Sequence, residues 1–208
     1  MATAGRQWGG KTWWSFAAFM SIGMSVFSYR YLPEVGPLAP DIVANLFARP
    51  WLKLHVAGAA TALLLGSFQF IPALRRGGSH RWVGRAYVVS CLVGGAAGLP
   101  LAFGSTAGPI ATAGFGLLAV GWLTSNTLGW RAALRQDFVA HRRWMIRSWA
   151  LTLAAVTLRL YLAGVGIGGL PMPQAYQAIS FLCWVPNLMI AELWLRARST
   201  PYLAAAIS

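Results

Sequence analysis

Apolar stretches of about 20 residues recur along the whole of this sequence, and each is long enough for an α-helix to cross the hydrocarbon core of a bilayer. Six of them can be delimited, over about residues 12–31, 51–73, 82–103, 108–130, 143–165 and 174–195. They are too apolar all round to be surface helices of a soluble domain, and too long to be strands of a membrane barrel. The sequence therefore predicts an all-α polytopic membrane protein, a six-helix bundle that forms one transmembrane domain over residues 1–208.

The charge composition agrees with a membrane environment. Only 10% of the 208 residues are charged, whereas a soluble domain carries about 25%. A net charge of +13 in a soluble protein would indicate a nucleic-acid partner. Here the basic residues flank the apolar stretches, and no recognised binding module or separate basic domain is present. We therefore expect no nucleic-acid partner.

The distribution of basic residues predicts the orientation of the bundle, because lysine and arginine accumulate in cytoplasmic loops. With the N-terminus in the cytoplasm, that side collects Arg6, Lys11, Arg75, Arg76, Arg81, Arg85, Arg131, Arg135, Arg142, Arg143, Arg147, Arg196 and Arg198. The other side holds only Arg30, Arg49 and Lys53, and Arg159 lies within a span. We therefore expect both termini in the cytoplasm, with anionic lipid in contact with that face.

Two pairs of small residues lie within the predicted spans. Cys91 and Cys183 fall near mid-membrane in apolar surroundings, so we interpret them as packing residues rather than as a disulfide. Gly94 and Gly98 have the small-xxx-small spacing that brings two membrane helices close together.

Two of the three histidines open similar stretches. "HRWVGRAYVVS" begins at His80 and leads into the third span, and "HRRWMIRSWALT" begins at His141 and leads into the fifth. The span before each one carries an amide near its end, Gln69 and Asn126 respectively. The similarity indicates either a weak internal repeat of two helix pairs or a chance likeness between two basic helix entries.

Polar side chains are expected to gather at the cytoplasmic ends of the spans. Glu192 is the only acid inside any span, and an ionisable group in a membrane usually faces the bundle interior with a partner. We expect Glu192 either to pair with Arg85 or Arg147, or to belong to a ligand site built from the whole set. The set is Gln69, His80, Arg85, Asn126, His141, Arg147, Asn187 and Glu192.

A second polar group is expected on the other side of the bundle. His55 lies one turn into the second span, and Arg159 lies 16 residues beyond Arg143, or about 24 Å along a helix. The two should therefore lie at similar depth, with Arg159 facing the bundle interior. Because a guanidinium cannot be neutralised, it needs an acceptor. The candidates are a helix carbonyl, Tyr161, a lipid phosphate, a bound anion, or Glu34 or Asp41 from the first loop.

The stretches "LHVAGAATALLLGSFQF", "HRWVGRAYV" and "AHRRWMIRSWALTLAAVTLRL" resemble the bacterial membrane-protein family known as domain of unknown function 2306. The resemblance covers about residues 51–195. It implies a small multi-helix protein of the bacterial inner (cytoplasmic) membrane, and it implies no particular activity. The positions that it identifies as typical of the family are His55, His80, Arg85, His141, Arg147 and Arg159.

The chain is more loosely similar to cytochrome b561-type and ferric-reductase-type bundles, which hold b haems between helices with paired histidines. In the former, one pair comes from a third and a fifth helix, where His80 and His141 lie. Two such haems need four histidines, so the three in this chain allow at most one. The resemblance implies His80 and His141 as axial ligands of the iron, with the propionates bound by Arg81, Arg85, Arg142 or Arg147, and with quinone as the electron partner.

Three functions remain open on the sequence alone. The first is electron transfer between one b-type haem and quinone. The second is a non-catalytic accessory or scaffold subunit of a larger membrane complex, in which the polar clusters anchor lipid and tie helices together. The third is a small transporter or channel, which the scarcity of acids within the spans disfavours. No catalytic nucleophile or carboxylate pair is identifiable.

Overall fold

The structure, a computed structural model, describes the backbone of residues 2–36, 38–69, 78–169 and 171–204. Side chains are described over the same ranges except at residues 2–13, 40, 41, 173 and 199–204. The side chains of Arg6, Lys11 and Asp41, the predicted cytoplasmic bases Arg75 and Arg76, and the predicted end of the second span at residue 73 therefore lie outside the described parts.

All regular secondary structure in the described residues is α-helical, as the sequence predicts. The helices are α1 (Ala2–Tyr29), α2 (Pro40–Val43), α3 (Ala48–Gln69), α4 (Gly78–Phe103), α5 (Pro109–Leu134), α6 (Phe138–Thr152), α7 (Ala154–Gly168), α8 (Met172–Leu182) and α9 (Val185–Ala204). The short α2 lies in the loop between α1 and α3. The other helices form six units of spanning length, because α6 continues into α7 and α8 into α9. The predicted six-helix fold is confirmed.

Four of the six units are both long and apolar enough to cross a bilayer: Ala48–Gln69, Gly78–Phe103, Phe138–Gly168 and Gln174–Arg198. The remaining two, α1 and α5, contain 28 and 26 residues. At a rise of 1.5 Å per residue, each exceeds the hydrocarbon thickness of about 30 Å.

The helices extend beyond the apolar spans that the sequence predicts. The predicted third span starts at about residue 82, but α4 begins at Gly78; the predicted fifth span starts at about residue 143, but α6 begins at Phe138. Asp137 explains the second difference, because its Oδ1 accepts a hydrogen bond from the Ala140 amide at 2.9 Å and so caps α6. Hydropathy marks only the apolar part of a helix, and the basic flanks remain helical.

The predicted fifth and sixth spans are each broken near their middle, which the sequence interpretation missed. One break lies at Leu153 and the other at Cys183 and Trp184. The hydroxyl of Thr157 donates to the Cys183 carbonyl, and Nδ2 of Asn187 donates to the same carbonyl at 3.0 Å. A carbonyl that is released from a helix inside a membrane needs another donor. The two breaks therefore face each other, and polar side chains on both chain segments bond the released backbone.

Neighbouring helices in the chain pack against each other, α3 on α4, α4 on α5 and α5 on α6. Helix α1 covers α3, α8 packs on α5 and α7, and α9 packs on α6. The main core contains Ala62, Tyr87, Cys91, Trp122 and Leu151. Cys91 and Cys183 are buried free thiols in separate clusters, as predicted.

Helices α3 and α4 are in close contact at glycines. A Cβ atom on Gly58 would lie only 2.7 Å from the Cα of Gly94 and 2.6 Å from the carbonyl oxygen of Ser90. A Cβ atom on Gly98 would lie 3.1 Å from Nδ1 of His55. The predicted close contact through Gly94 and Gly98 is confirmed, and its partner surface is α3.

Candidate functional site

A buried polar network joins α4, α5 and α6. The hydroxyl of Tyr87 lies 2.8 Å from Oγ of Ser148 and 2.9 Å from Oγ1 of Thr152. Nε1 of Trp122 donates to the same threonine oxygen at 2.9 Å. Ser148 donates to Oδ1 of Asn126 at 3.0 Å, and all five residues are buried. These hydrogen bonds link side chains of three helices, so the network fixes α4, α5 and α6 relative to one another.

Of this network, only Asn126 belongs to the polar set expected from the sequence. Tyrosine, tryptophan, serine and threonine are common in membrane helices, so their presence alone did not indicate a shared site. One signal was available, because Ser148 and Thr152 are four residues apart and therefore lie on one face of α6. Their partner Tyr87 lies on another helix, and the sequence does not show that contact.

His141 has a defined hydrogen-bond partner. Its Nδ1 lies 2.8 Å from the carbonyl oxygen of Gly129 on α5. Because a carbonyl only accepts, Nδ1 carries the proton and Nε2 is the available acceptor of the neutral ring. His141 is half-buried in the first turns of α6.

His80 occupies a corresponding position on α4. It lies in the first turn of that helix and is half-buried. Tyr87 follows His80 by seven residues, and Ser148 follows His141 by seven. Seven residues are about two helical turns, and the two later side chains are hydrogen-bonded to each other. Both histidines therefore lie at the same end of the bundle, on the faces of α4 and α6 that share the Tyr87–Ser148 contact.

We call this end the arginine-rich end; it is where α4 and α6 begin and where α5 and α9 approach their ends. Its described arginines are Arg81, Arg85, Arg131, Arg135, Arg142, Arg143, Arg147, Arg196 and Arg198. Tryptophan rings lie beneath several of their guanidinium groups. The distances from Cζ to the ring centroid are 5.0 Å for Arg85 over Trp82, 4.7 Å for Arg147 over Trp144, and 4.1 Å for Arg198 over Trp194.

Arg147 forms a two-point ion pair with Glu192. Its Nε lies 2.5 Å from Oε1 of Glu192, and its Nη2 lies 3.0 Å from Oε2. Of the two arginines considered as partners for this acid, the structure selects Arg147, while Arg85 is exposed and stacks on Trp82. The side chains of Arg147 and Glu192 are 23% and 32% exposed to solvent, so the pair lies at the edge of the bundle.

An open cleft of about 390 Å³ adjoins this ion pair. It is lined by Asp137, Val139, Ala140, Arg143, Trp144 and Arg147. Two arginines, a tryptophan and one carboxylate give it a basic, amphipathic lining.

The expected set of polar residues does not form one site. Gln69 packs beside Gly84 on α4, and Asn126 belongs to the buried network. Asn187 lies elsewhere, because its Nδ2 donates to Thr157 at 3.2 Å, ten residues further along the α6–α7 segment than Arg147. Its amide also donates to the Cys183 carbonyl oxygen at 3.0 Å, so Asn187 bonds backbone released at the break between α8 and α9.

At the opposite end of the bundle, His55 and Arg159 each bond another helix. Nδ1 of His55 lies 2.8 Å from the Gly94 carbonyl oxygen. Arg159 donates to the Ala155 carbonyl oxygen at 2.8 Å and to Oγ of Ser28 at 2.7 Å. A helix carbonyl and a neighbouring hydroxyl thus accept from the guanidinium.

Glu34 is not the partner of Arg159. Its carboxylate binds Nζ of Lys53 at 2.9 Å, because the start of α3 lies directly beside the loop. The hydrogen bond and the charge of Lys53 lower the pKa of Glu34 below its ordinary value. The proposed pairing with Glu34 is corrected accordingly.

We expect Arg159→Lys to destabilise the protein by about 1–3 kcal/mol, because one ammonium cannot reproduce the two directed bonds to Ala155 and Ser28. Arg143→Lys, in an exposed position at the arginine-rich end, should change stability by no more than about 0.5 kcal/mol. Thermal unfolding of the two purified variants measures the difference, and equal stability would contradict the expectation.

No curated protein and no solved structure matches this chain significantly. Residues 52–195, well over half of the chain, match the family described as predicted membrane protein, domain of unknown function 2306. Together with the apolar helices of spanning length, this match establishes the chain as a multi-pass integral membrane protein that belongs to the DUF2306 family.

Proposed function

We propose that this protein is a non-catalytic accessory or scaffold subunit of a bacterial inner-membrane complex, and that its arginine-rich end binds anionic lipid. The observation that carries the proposal is the excess of arginine at that end. Nine described arginines lie there, and the acids among them are Asp137 and Glu192. Each arginine near an anionic membrane surface contributes about 1 kcal/mol of attraction.

The stacked tryptophans support a position at the level of the lipid headgroups. Trp82 is 70% exposed and Trp194 is 38% exposed, although both are large apolar residues. Tryptophan favours the membrane interface, where its ring is apolar and its N–H is wet. An arginine above such a ring points its charge toward lipid phosphates, and the cleft beside Arg143 can hold one headgroup.

The test compares full-length protein in nanodiscs of phosphatidylcholine with nanodiscs that also contain phosphatidylglycerol. The anionic lipid should raise the melting temperature of the wild type, and 1 M salt should remove most of the gain through screening. The double variant Arg142→Gln/Arg198→Gln should lose most of the gain, since both arginines lie near Trp194. Arg49→Gln at the opposite end is the matched control. Equal melting temperatures in the two lipids would refute the proposal.

The same proposal fixes the sidedness of the bundle, with the arginine-rich end and both termini in the cytoplasm. Reporter fusions at Gly78 and Asp137 should read cytoplasmic, and a fusion at Pro37 should read extracytoplasmic. If any one of these fusions reads on the opposite side of the membrane, the proposed topology is overturned.

A single b-type haem between α4 and α6 is the second candidate. The observation that favours it is the hydrogen bond from Nδ1 of His141 to the Gly129 carbonyl oxygen. This bond holds the ring in place and leaves Nε2 free of that bond and in a fixed orientation. His80 would supply the second nitrogen from the corresponding position on α4. Arg147 is already engaged by Glu192, so Arg81, Arg85 and Arg142 are the residues that fit the propionates. Bound haem would supply one-electron transfer, with quinone as the partner.

The visible spectrum of full-length protein, expressed with haem supplied, tests this candidate. His80→Ala and His141→Ala should each abolish a Soret band, and His55→Ala should leave it intact because His55 lies at the opposite end. A colourless wild-type protein, or a band that survives both substitutions, would exclude the haem.

A further inference from the structure

Three basic side chains lie at the opposite end of the bundle, on three different parts of the chain. Arg159 comes from α7, His55 from α3, and Arg30 directly follows the last residue of α1. Nη2 of Arg159 donates to Oγ of Ser28 at 2.7 Å, and Ser28 precedes Arg30 by two residues at the end of α1. Like charges repel at short range, so two neighbouring arginines are costly in a membrane unless an anion offsets them.

The hydrogen-bond donors here exceed the acceptors. Nε of Arg30 is buried and has no hydrogen-bond acceptor among the described residues. Arg30 is held in place by aromatic rings, with its Cζ 3.8 Å from the centroid of Phe27 and 5.3 Å from that of Tyr31. A buried N–H without an acceptor costs about 1–3 kcal/mol.

Further donors lie close by. Of the five N–H groups of a guanidinium, two on Arg159 bind Ala155 and Ser28. The Tyr31 hydroxyl accepts from the Ala39 amide at 3.2 Å, so its own proton is a donor. The Ser28 hydroxyl acts as both donor and acceptor: it donates to the Met24 carbonyl oxygen at 2.6 Å and accepts from Arg159. Ser28 therefore orients Arg159 and leaves the remaining donors for a ligand.

The described acids do not supply the missing negative charge. Glu34 is paired with Lys53, and Asp137 and Glu192 lie at the arginine-rich end. An anion with several acceptor oxygens is what this arrangement lacks. A phosphate group suits it better than a carboxylate, since it offers more oxygens to two planar guanidinium groups that approach from different helices.

We propose that Arg30 and Arg159 together bind one phosphate group at this end of the bundle, either the headgroup phosphate of a lipid or a free phosphate. The site lies where α1 ends, at the level expected for a membrane interface, so both sources can reach it. It is separate from the arginine-rich end, and it does not depend on the function proposed for that end.

The experiment uses full-length protein that has been delipidated in a maltoside detergent, with unfolding followed by tryptophan fluorescence. One arm adds inorganic phosphate against sodium chloride of equal ionic strength. The other arm adds phosphatidylglycerol against diacylglycerol, which has no phosphate. Saturable stabilisation in both arms identifies a site open to free phosphate, and saturable stabilisation by phosphatidylglycerol alone identifies a lipid headgroup site.

The variants assign the stabilisation to this site. Arg30→Gln should weaken the apparent affinity of the stabilising probe at least tenfold, whereas Arg49→Gln, an exposed arginine at the same end, should change it less than twofold. Arg30→Lys retains the charge but removes the buried Nε donor, and it should weaken the affinity several-fold. It replaces Arg30→Gln as the test variant if Arg30→Gln does not fold. Absence of saturable stabilisation in both arms, or affinities unchanged by these Arg30 variants, would overturn the proposal.

Discussion

Gly58→Ala is expected to lower the stability of the bundle by about 1–3 kcal/mol or more, although it adds a single methyl group. The new Cβ would lie 2.6 Å from the Ser90 carbonyl oxygen and 2.7 Å from the Cα of Gly94. Both neighbours are backbone atoms of α4, so no side-chain rotation can relieve the overlap and the two helices must separate. The hydrogen bond between His55 on α3 and the Gly94 carbonyl oxygen on α4 would be disrupted as well.

Gly116→Ala is the matched control for this substitution. Gly116 also lies within a helix, α5, but no atom lies within 4 Å of the position that its Cβ would take. Its stability should therefore change by less than about 0.5 kcal/mol. Thermal unfolding in detergent measures both variants, and a Gly58→Ala protein as stable as Gly116→Ala would show that α3 and α4 are not in close contact.

Asn126→Ala should also have a large effect, a loss of about 1–3 kcal/mol. The substitution removes the acceptor for the Ser148 hydroxyl and the donor that binds the Trp122 carbonyl oxygen at 2.8 Å. Asn126 is fully buried, so water cannot easily replace either partner. Gln174→Ala, at an exposed amide near the start of α8, is the control and should be close to neutral.

A double-mutant cycle with Ser148→Ala separates the loss of this bond from simple loss of packing. If the unsatisfied Ser148 hydroxyl carries the cost, the double variant should be less destabilised than the sum of the single variants, by at least about 0.5 kcal/mol. Additive losses would mean that the Asn126–Ser148 bond contributes nothing to stability.

The two basic helix entries are recognisable in the sequence, but the partners of their side chains are not. "HRW" and "HRRW" both lie in the first turns of helices at one end of the bundle, α4 and α6. They did not predict that the ring of His141 would bond Gly129, nor that Arg147 rather than Arg85 would pair with Glu192. Those choices depend on which faces of α5 and α9 pack against α6, and helix-to-helix rotation is not encoded in the spacing of one segment.

The sequence by itself determined the fold class, the six long helical units and the close contact at Gly94 and Gly98. The reason is physical: a bilayer requires long apolar helices whose backbone bonds are satisfied internally, and small residues are what allow two such helices to approach. These constraints act within one segment and are therefore visible in it.

Only the tertiary structure decided where the polar side chains meet. The Tyr87–Ser148–Asn126 network, the facing breaks at Leu153 and Cys183, and the hydrogen bond from Arg159 to Ser28 each join residues far apart in the chain. Their partners are fixed by helix order, tilt and rotation, which result from packing over the whole bundle. For that reason Arg30, which the sequence placed at the outer end of the first predicted span, lies two residues from Ser28, the side chain that binds Arg159 in the folded protein.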